Sequence, residues 1–253
     1  YPQYPEMLKT IDADNKTLDL IDYDYAIPNL TYNKSGQCIR IGLRKTNAHC
    51  NLKANNIDWE SLSDKEKKRT RKGVIIERLG AVNENDVKSS IYRITHLLNH
   101  GIWLGRQYDL YPMMAGFDLA AHSPDRERFK APLAMKLYFS PSVDKIIASS
   151  TFQHTQTKIR FKAWKAKSLL TEARRRMFDV IGPSYRSEIF LHESCIYTQV
   201  AHQIRSQGYK LIQIYDGFFT DKPLLEDQFE EIVAECAMEY YRKWKGYWHS
   251  WES

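Results

Sequence analysis

Residues 210–220, KLIQIYDGFFT, constrain the fold more than any other segment. Residues 210–215 read as a strand, Asp216-Gly217 is a turn dipeptide, and residues 218–220 return as the paired strand. Asp-Gly between two such runs is among the strongest short-range hairpin signals, because a tight turn favours residues that tolerate positive φ. The flanks carry a different period. Residues 188–206 place Ile189, Ile196, Val200 and Ile204 on one helical face, with Gly208 as the stop. Residues 224–244 form a last helix with Phe229, Ile232, Val233, Cys236 and Tyr240 inside. A hairpin bracketed by two apolar-faced helices points to an α+β fold, in which packed helices cover a small antiparallel sheet.

Upstream, residues 18–25 (LDLIDYDY) mix β-branched and aromatic residues with polar ones and read as a strand that Pro28-Asn29 breaks. Residues 39–43 read as the next strand. The charge run within residues 58–72 is expected to be an exposed helix or loop. Residues 83–99 carry Val87, Ile91, Ile94 and Leu98 at spacings of three and four, which predicts an amphipathic helix ended by Gly101. Residues 126–138 also have helical spacing, with Pro132 disturbing the first turns.

Composition narrows the function classes. Hydrophobic residues make up 43% and charged residues 27%, which excludes a disordered chain. No stretch approaches the roughly 18 consecutive apolar residues of a membrane span, and no basic region followed by an apolar run opens the chain. The expectation is an intracellular protein (cytoplasm, nucleoid or organelle matrix) with no membrane partner. The opening Tyr1-Pro2, with no Met, reads as a fragment or a processed product, so a missing N-terminal segment or a protein partner is expected. Cys38, Cys50, Cys195 and Cys236 form no CxxC pair, which reads as reduced thiols and argues against structural zinc. The net charge of +6 favours an anionic partner, most commonly nucleic acid.

Three groups of residues carry possible chemistry, each beside a plainer reading. Asp216 sits at the hairpin tip and Asp22 at a strand end. Such aspartates are commonly turn or capping residues, but two of them on one sheet edge can hold a cation. Arg126-x3-Lys130-x3-Ala134-x3-Tyr138 keeps guanidinium, ammonium and phenol on one helical face. That face is either a solvated basic surface beside a buried Tyr or a grip for a triphosphate, since Arg binds phosphate oxygens bidentately and Lys adds a point charge. Residues 156–176 form a basic tract with Lys158, Arg160, Lys162, Lys165 and Lys167 interleaved with Phe161 and Trp164. It is either a solvated helix or a nucleic-acid track in which aromatics stack on bases and lysines meet phosphates. His96 and His100 sit four apart with no carboxylate between them and read as a polar helix face.

The order Asp22, then Arg126/Lys130/Tyr138, then Asp216 resembles the three motifs of the single-subunit polymerases. These are the phage and mitochondrial-type RNA polymerases and the family A DNA polymerases. Residues 22–30, DYDYAIPNL, resemble the version found in plasmid- and phage-encoded relatives. Residues 190–193, FLHE, resemble the start of the helix that precedes the family's catalytic hairpin. Phe139 stands where the family has Gly, and Tyr215 where it has His.

The resemblance implies a palm-like antiparallel sheet with packed helices, built from residues 1–57 and 186–253, and a helical fingers-like insertion over 58–185. It implies two Mg2+ ions, with Mn2+ as a substitute, held by Asp22 and Asp216 with help from the Tyr23 carbonyl. Lys130 would be catalytic, neutralising the triphosphate and protonating the pyrophosphate, Arg126 would hold the γ-phosphate end, and Tyr138 and His192 would face the base pair or the sugar. The activity implied is template-directed nucleotidyl transfer from nucleoside triphosphates on a nucleic-acid template, as a DNA-templated RNA polymerase or primase-like enzyme. A family A-like DNA polymerase, a metal-dependent nuclease and a non-catalytic nucleic-acid-binding replication protein are the alternatives.

Overall fold

A computed structural model describes residues 29–32, 38–42, 63, 76, 79–80, 83–115, 135–149, 163–214 and 216–249. Its strands are β1 (Asn29–Tyr32), β2 (Cys38–Gly42), β3 (Asn83–Asp86), β4 (Leu211–Ile214) and β5 (Gly217–Thr220). Its helices are α1 (Ser90–His100), α2 (Leu110–Ala115), α3 (Met135–Phe139), α4 (Val143–Ile147), α5 (Ala163–Ile181), α6 (Ile189–Ser206) and α7 (Glu226–His249), with one 3-10 turn at Arg186–Glu188. Among the described residues the fold is mixed α+β and mostly helical, with two small antiparallel sheets. Contacts divide the chain into two units: residues 1–87 with 190–253, and residues 88–189.

In the first unit, β1 and β2 pair antiparallel, from Asn29 opposite Gly42 to Tyr32 opposite Cys38. A separate three-stranded sheet has the order β3-β5-β4. Central β5 is buried along its whole length. Phe218 on β5 is 0% exposed and lies between Tyr197 of α6 and Phe229 of α7, at centroid distances of 5.6 and 5.2 Å. Burying such a ring contributes about 1.5–3 kcal/mol. Helices α6 and α7 run antiparallel, linked by Gln207 with Gln228, Gln203 with Glu235 and His192 with Tyr240. Ile196, Val200 and Ile204 of α6 and Ile232, Val233 and Ala237 of α7 complete this core, which is the two-faced covering that the helical period predicts.

The second unit packs around α5, which touches α1, α2, α3 and α4. Ile94, Leu97, Leu110, Leu137, Tyr138, Ile146, Leu170, Met177 and Ile181 form its core. Arg174 of α5 donates from Nε to the Leu137 carbonyl (3.3 Å) and from Nη2 to the Ser140 carbonyl (2.9 Å), satisfying acceptors at the end of α3. Asn99 ties the end of α1 to the end of α5, since its Nδ2 donates to the Ile181 and Pro183 carbonyls and its Oδ1 accepts from Tyr185. Gly182 follows α5 at φ +78°, and its Cα faces Asn99 so closely that a Cβ would stand 2.7 Å from Nδ2.

Two sequence expectations are corrected. Residues 83–86, expected as the first turns of a helix, form strand β3, and the helix starts at Ser90. Residues 83–86 read NEND, with no apolar alternation, and their strand state comes from pairing with β5. Asn83 and Asn85 also donate side-chain hydrogen bonds to the carbonyls of Thr220 and Leu224. Exposed Glu84 and Asp86 put charge on this edge strand, which discourages pairing with another chain. The second correction concerns the hairpin. Ile214 pairs with Gly217, so Gly217 opens β5 instead of lying in the turn, and it does so without positive φ. A ladder position flanked on both sides, by Ile214 and by Asp86, holds it in extended geometry.

The expected strand at residues 18–25 and the charge run at 58–72 lie outside the described residues, apart from Ser63. Among the described residues, no helix is long and apolar enough to cross a membrane.

Candidate functional site

The β4–β5 hairpin sets Asp216 at one end of the three-stranded sheet. Its backbone is fixed from two sides. The turn joins two paired strands, and the Asp216 carbonyl accepts a hydrogen bond from the Val87 N–H at 3.1 Å. The residue is half-buried. The same sheet end carries a second carboxylate, because the β3–β5 ladder pairs Asp86 with Gly217, the neighbour of Asp216. Asp86 escapes a reading of the sequence: within NEND it is one polar residue among four, and only the pairing brings it beside the hairpin turn. Carboxylate oxygens at a sheet end are hard donors, and their chemistry suits Mg2+ better than a nitrogen- or sulfur-preferring metal. Among the described residues, no three His, Cys, Asp or Glu side chains gather as a complete ligand set.

Asp22, Tyr23, Arg126, Lys130, Lys158, Arg160 and Lys162 lie outside the described residues. Trp164 and Lys165 belong to α5, with only their helical backbone described.

Tyr138 and His192, expected to face substrate, are instead packed inside separate cores. Tyr138 is 1% exposed, with its ring edge-on to Tyr92 and Phe139. Its hydroxyl accepts from the Tyr185 N–H at 3.1 Å and bonds to Thr95 Oγ1 at 2.8 Å. Thr95 in turn donates to the Ile91 carbonyl at 2.7 Å. Burial raises the Tyr138 pKa above its ordinary value. The phenol therefore links α3, α1 and the loop after α5. The buried Tyr of the plainer sequence reading describes this residue, while the basic face expected beside it lies outside the described residues.

His192 is buried on α6 against α7. Its Nδ1 shares a hydrogen bond with Tyr240 Oη at 2.7 Å, and its ring meets that of Trp244 edge-on at 5.6 Å. Burial pushes its pKa down to about 4, so the ring is neutral at pH 7. A neutral, enclosed imidazole is a packing group here, which replaces the expected sugar contact with a helix–helix contact.

The basic tract is largely neutralised where its side chains are described. Lys167 pairs with Asp144 at 2.7 Å. Arg175 pairs with Glu172 and Asp179, and Arg176 with Glu172. Hydrogen bonds from Arg175 and Arg176 pull the Glu172 pKa down to about 2. Arg174 serves the α3 carbonyls. These exposed pairs exchange readily with solvent and contribute little stability, but they lower the field that Lys167 and its neighbours present to a phosphate backbone.

Comparison with protein-family models, with curated proteins and with solved structures returns no match.

Proposed function

We propose that this chain is a magnesium-dependent, template-directed nucleotidyltransferase whose described catalytic element is the end of the β3-β5-β4 sheet. The observation that carries the reading is the hairpin-tip Asp216, fixed by both a two-residue turn and the Val87 hydrogen bond, with Asp86 at the same sheet end. Support also comes from the ordered resemblance of Asp22, Arg126/Lys130/Tyr138 and Asp216 to the single-subunit polymerase motifs. The net charge of +6 agrees with a polyanionic template.

In this reading Asp216 and Asp22 supply carboxylate oxygens to the metals, with Asp86 as a further oxygen donor at the sheet end. The metals these carboxylates would hold, two Mg2+ ions, would supply activation of the attacking 3′-hydroxyl and screening of the leaving pyrophosphate. The chain's own part is positioning. The hairpin fixes the backbone that carries the Asp216 carboxylate, and Lys130 and Arg126 take the triphosphate charge. With Tyr138 and His192 enclosed in cores, they do not carry the choice between ribose and deoxyribose. RNA synthesis and DNA synthesis are therefore both arms of the test.

The test is primer extension and de novo synthesis with Mg2+, run in parallel with four ribonucleotides and four deoxyribonucleotides, for wild type and Asp216→Ala. Synthesis by wild type that is lost in Asp216→Ala supports the reading and names the sugar. Synthesis that survives Asp216→Ala refutes the assigned site. Absence of synthesis in both, with nucleic-acid binding intact, supports a non-catalytic binding protein instead.

A further inference from the structure

The geometry points to a second metal site, unrelated to the carboxylates: His96 and His100 on α1 form a two-imidazole chelate for a borderline divalent ion of the Zn2+, Ni2+ or Cu2+ class. Both residues lie in the last turns of α1 on the same helical face, since a spacing of four brings side chains together. Their ring centroids are 4.6 Å apart. A metal–nitrogen bond of about 2.1 Å puts an imidazole centroid about 3.2 Å from the metal. Two rings on neighbouring positions of one ion then have centroids about 4.5–5.2 Å apart. The observed separation falls in that interval, near the value for a right-angled pair.

The first ring is already oriented. His96 Nδ1 lies 2.8 Å from the Ile102 carbonyl, which can only accept, so Nδ1 carries the proton and Nε2 keeps its lone pair. A ring N–H held by a backbone carbonyl is the usual support of a metal-binding histidine. The second ring is adjustable, because His100 is the last residue of the helix and is exposed.

Position on the helix adds an electrostatic term. Gly101 ends α1 at φ 73°, so the site lies at the carbonyl end of the helix, where the dipole favours positive charge. Two nitrogens, with no carboxylate gathered beside them among the described residues, select against Mg2+ and Ca2+ and in favour of imidazole-binding metals. Two protein ligands leave the remaining positions to water, which makes the site exchangeable rather than structural.

The experiment uses the full chain after EDTA treatment, titrated with NiCl2 and ZnCl2 in a calorimeter, in a buffer that does not bind metals. Wild type is compared with His96→Ala and His100→Ala. The second variant changes only an exposed helix-terminal residue and leaves the His96–Ile102 bond in place. The expected result is one saturable site in wild type that weakens about tenfold or more in each variant, as the loss of a chelate arm requires. With Cu2+, the electron paramagnetic resonance spectrum should show two imidazole nitrogens in wild type and one in His100→Ala. Equal affinity of wild type and His100→Ala, or no saturable binding in any of the three proteins, would overturn the site. Equal affinity would assign the binding to others of the eight histidines.

Discussion

Replacing Tyr138 with Phe separates a core role from a substrate role with a single oxygen. The hydroxyl is the middle of a directional chain that runs from the Tyr185 N–H through Tyr138 Oη and Thr95 Oγ1 to the Ile91 carbonyl. Thr95 has one hydroxyl proton, and Ile91 receives it, so Tyr138 must donate to Thr95 and accept from Tyr185. Tyr138→Phe keeps the ring and its contacts with Tyr92 and Phe139 but leaves the Tyr185 N–H without its acceptor. That N–H is part-buried, so leaving it unsatisfied costs about 1–2 kcal/mol. Taking about 2 kcal/mol and a urea dependence of about 2 kcal/mol per molar, the unfolding midpoint should drop by about 1 M. Thr95→Val cuts the next link of the same chain, so the double variant should lose less than the sum of the singles, with a coupling of about 0.5 kcal/mol or more. Urea titrations of the four proteins, followed by circular dichroism, read both quantities. A Tyr138→Phe variant within about 0.5 kcal/mol of wild type, or one strictly additive with Thr95→Val, would refute the chain. If Tyr138→Phe folds as stably as wild type but changes the KM for nucleotides, the residue faces substrate after all.

Three further outcomes follow from the same structure. His192 is neutral when folded, with a pKa near 4 against an ordinary 6.5. As pH falls below 6.5 the unfolded chain takes up the proton first, so stability is lost between about pH 6.5 and 4, by up to about 3 kcal/mol. His192→Gln should flatten that window in urea titrations at pH 7 and pH 5, and an unchanged slope would remove His192 as the cause. Gly208 and Gly182 have nearly the same positive φ, 79° and 78°, but a Cβ meets nothing within 4 Å at Gly208 and the Asn99 side chain at Gly182. Gly208→Ala should cost about 1 kcal/mol, and Gly182→Ala clearly more, as read by thermal melts; equal losses would mean that Asn99 yields freely. Phe218→Ala should cost about 3–5 kcal/mol, because the buried ring packs against an aromatic residue of each helix. A loss under 1 kcal/mol in urea titration would contradict that packing.

Local chemistry alone specified the C-terminal half of the described chain. Apolar residues at helical spacing set α6 and α7 within a few residues of their expected ends. Gly101 and Gly208 stop their helices in the left-handed conformation that glycine adopts without steric cost. The hairpin was legible as well, since two short apolar runs around a turn dipeptide have few other solutions. What the sequence left open were the features set by partners far along the chain. Strand β3 has the composition of a loop, and only the ladder with β5, more than a hundred residues later, makes it a strand and brings Asp86 beside Asp216. Gly217 was expected in the turn, but pairing on both sides put it in the strand. Tyr138 and His192 each carry a polar tip on an apolar ring, and spacing alone does not say which end prevails. In the folded chain each tip finds a buried partner, Thr95 for one and Tyr240 for the other. With that hydrogen bond made, burial no longer leaves a polar group unsatisfied, and the ring goes to the core. Short-range periodicity thus determined which segments are helices and strands, while long-range pairing and the satisfaction of buried polar groups decided which residues meet.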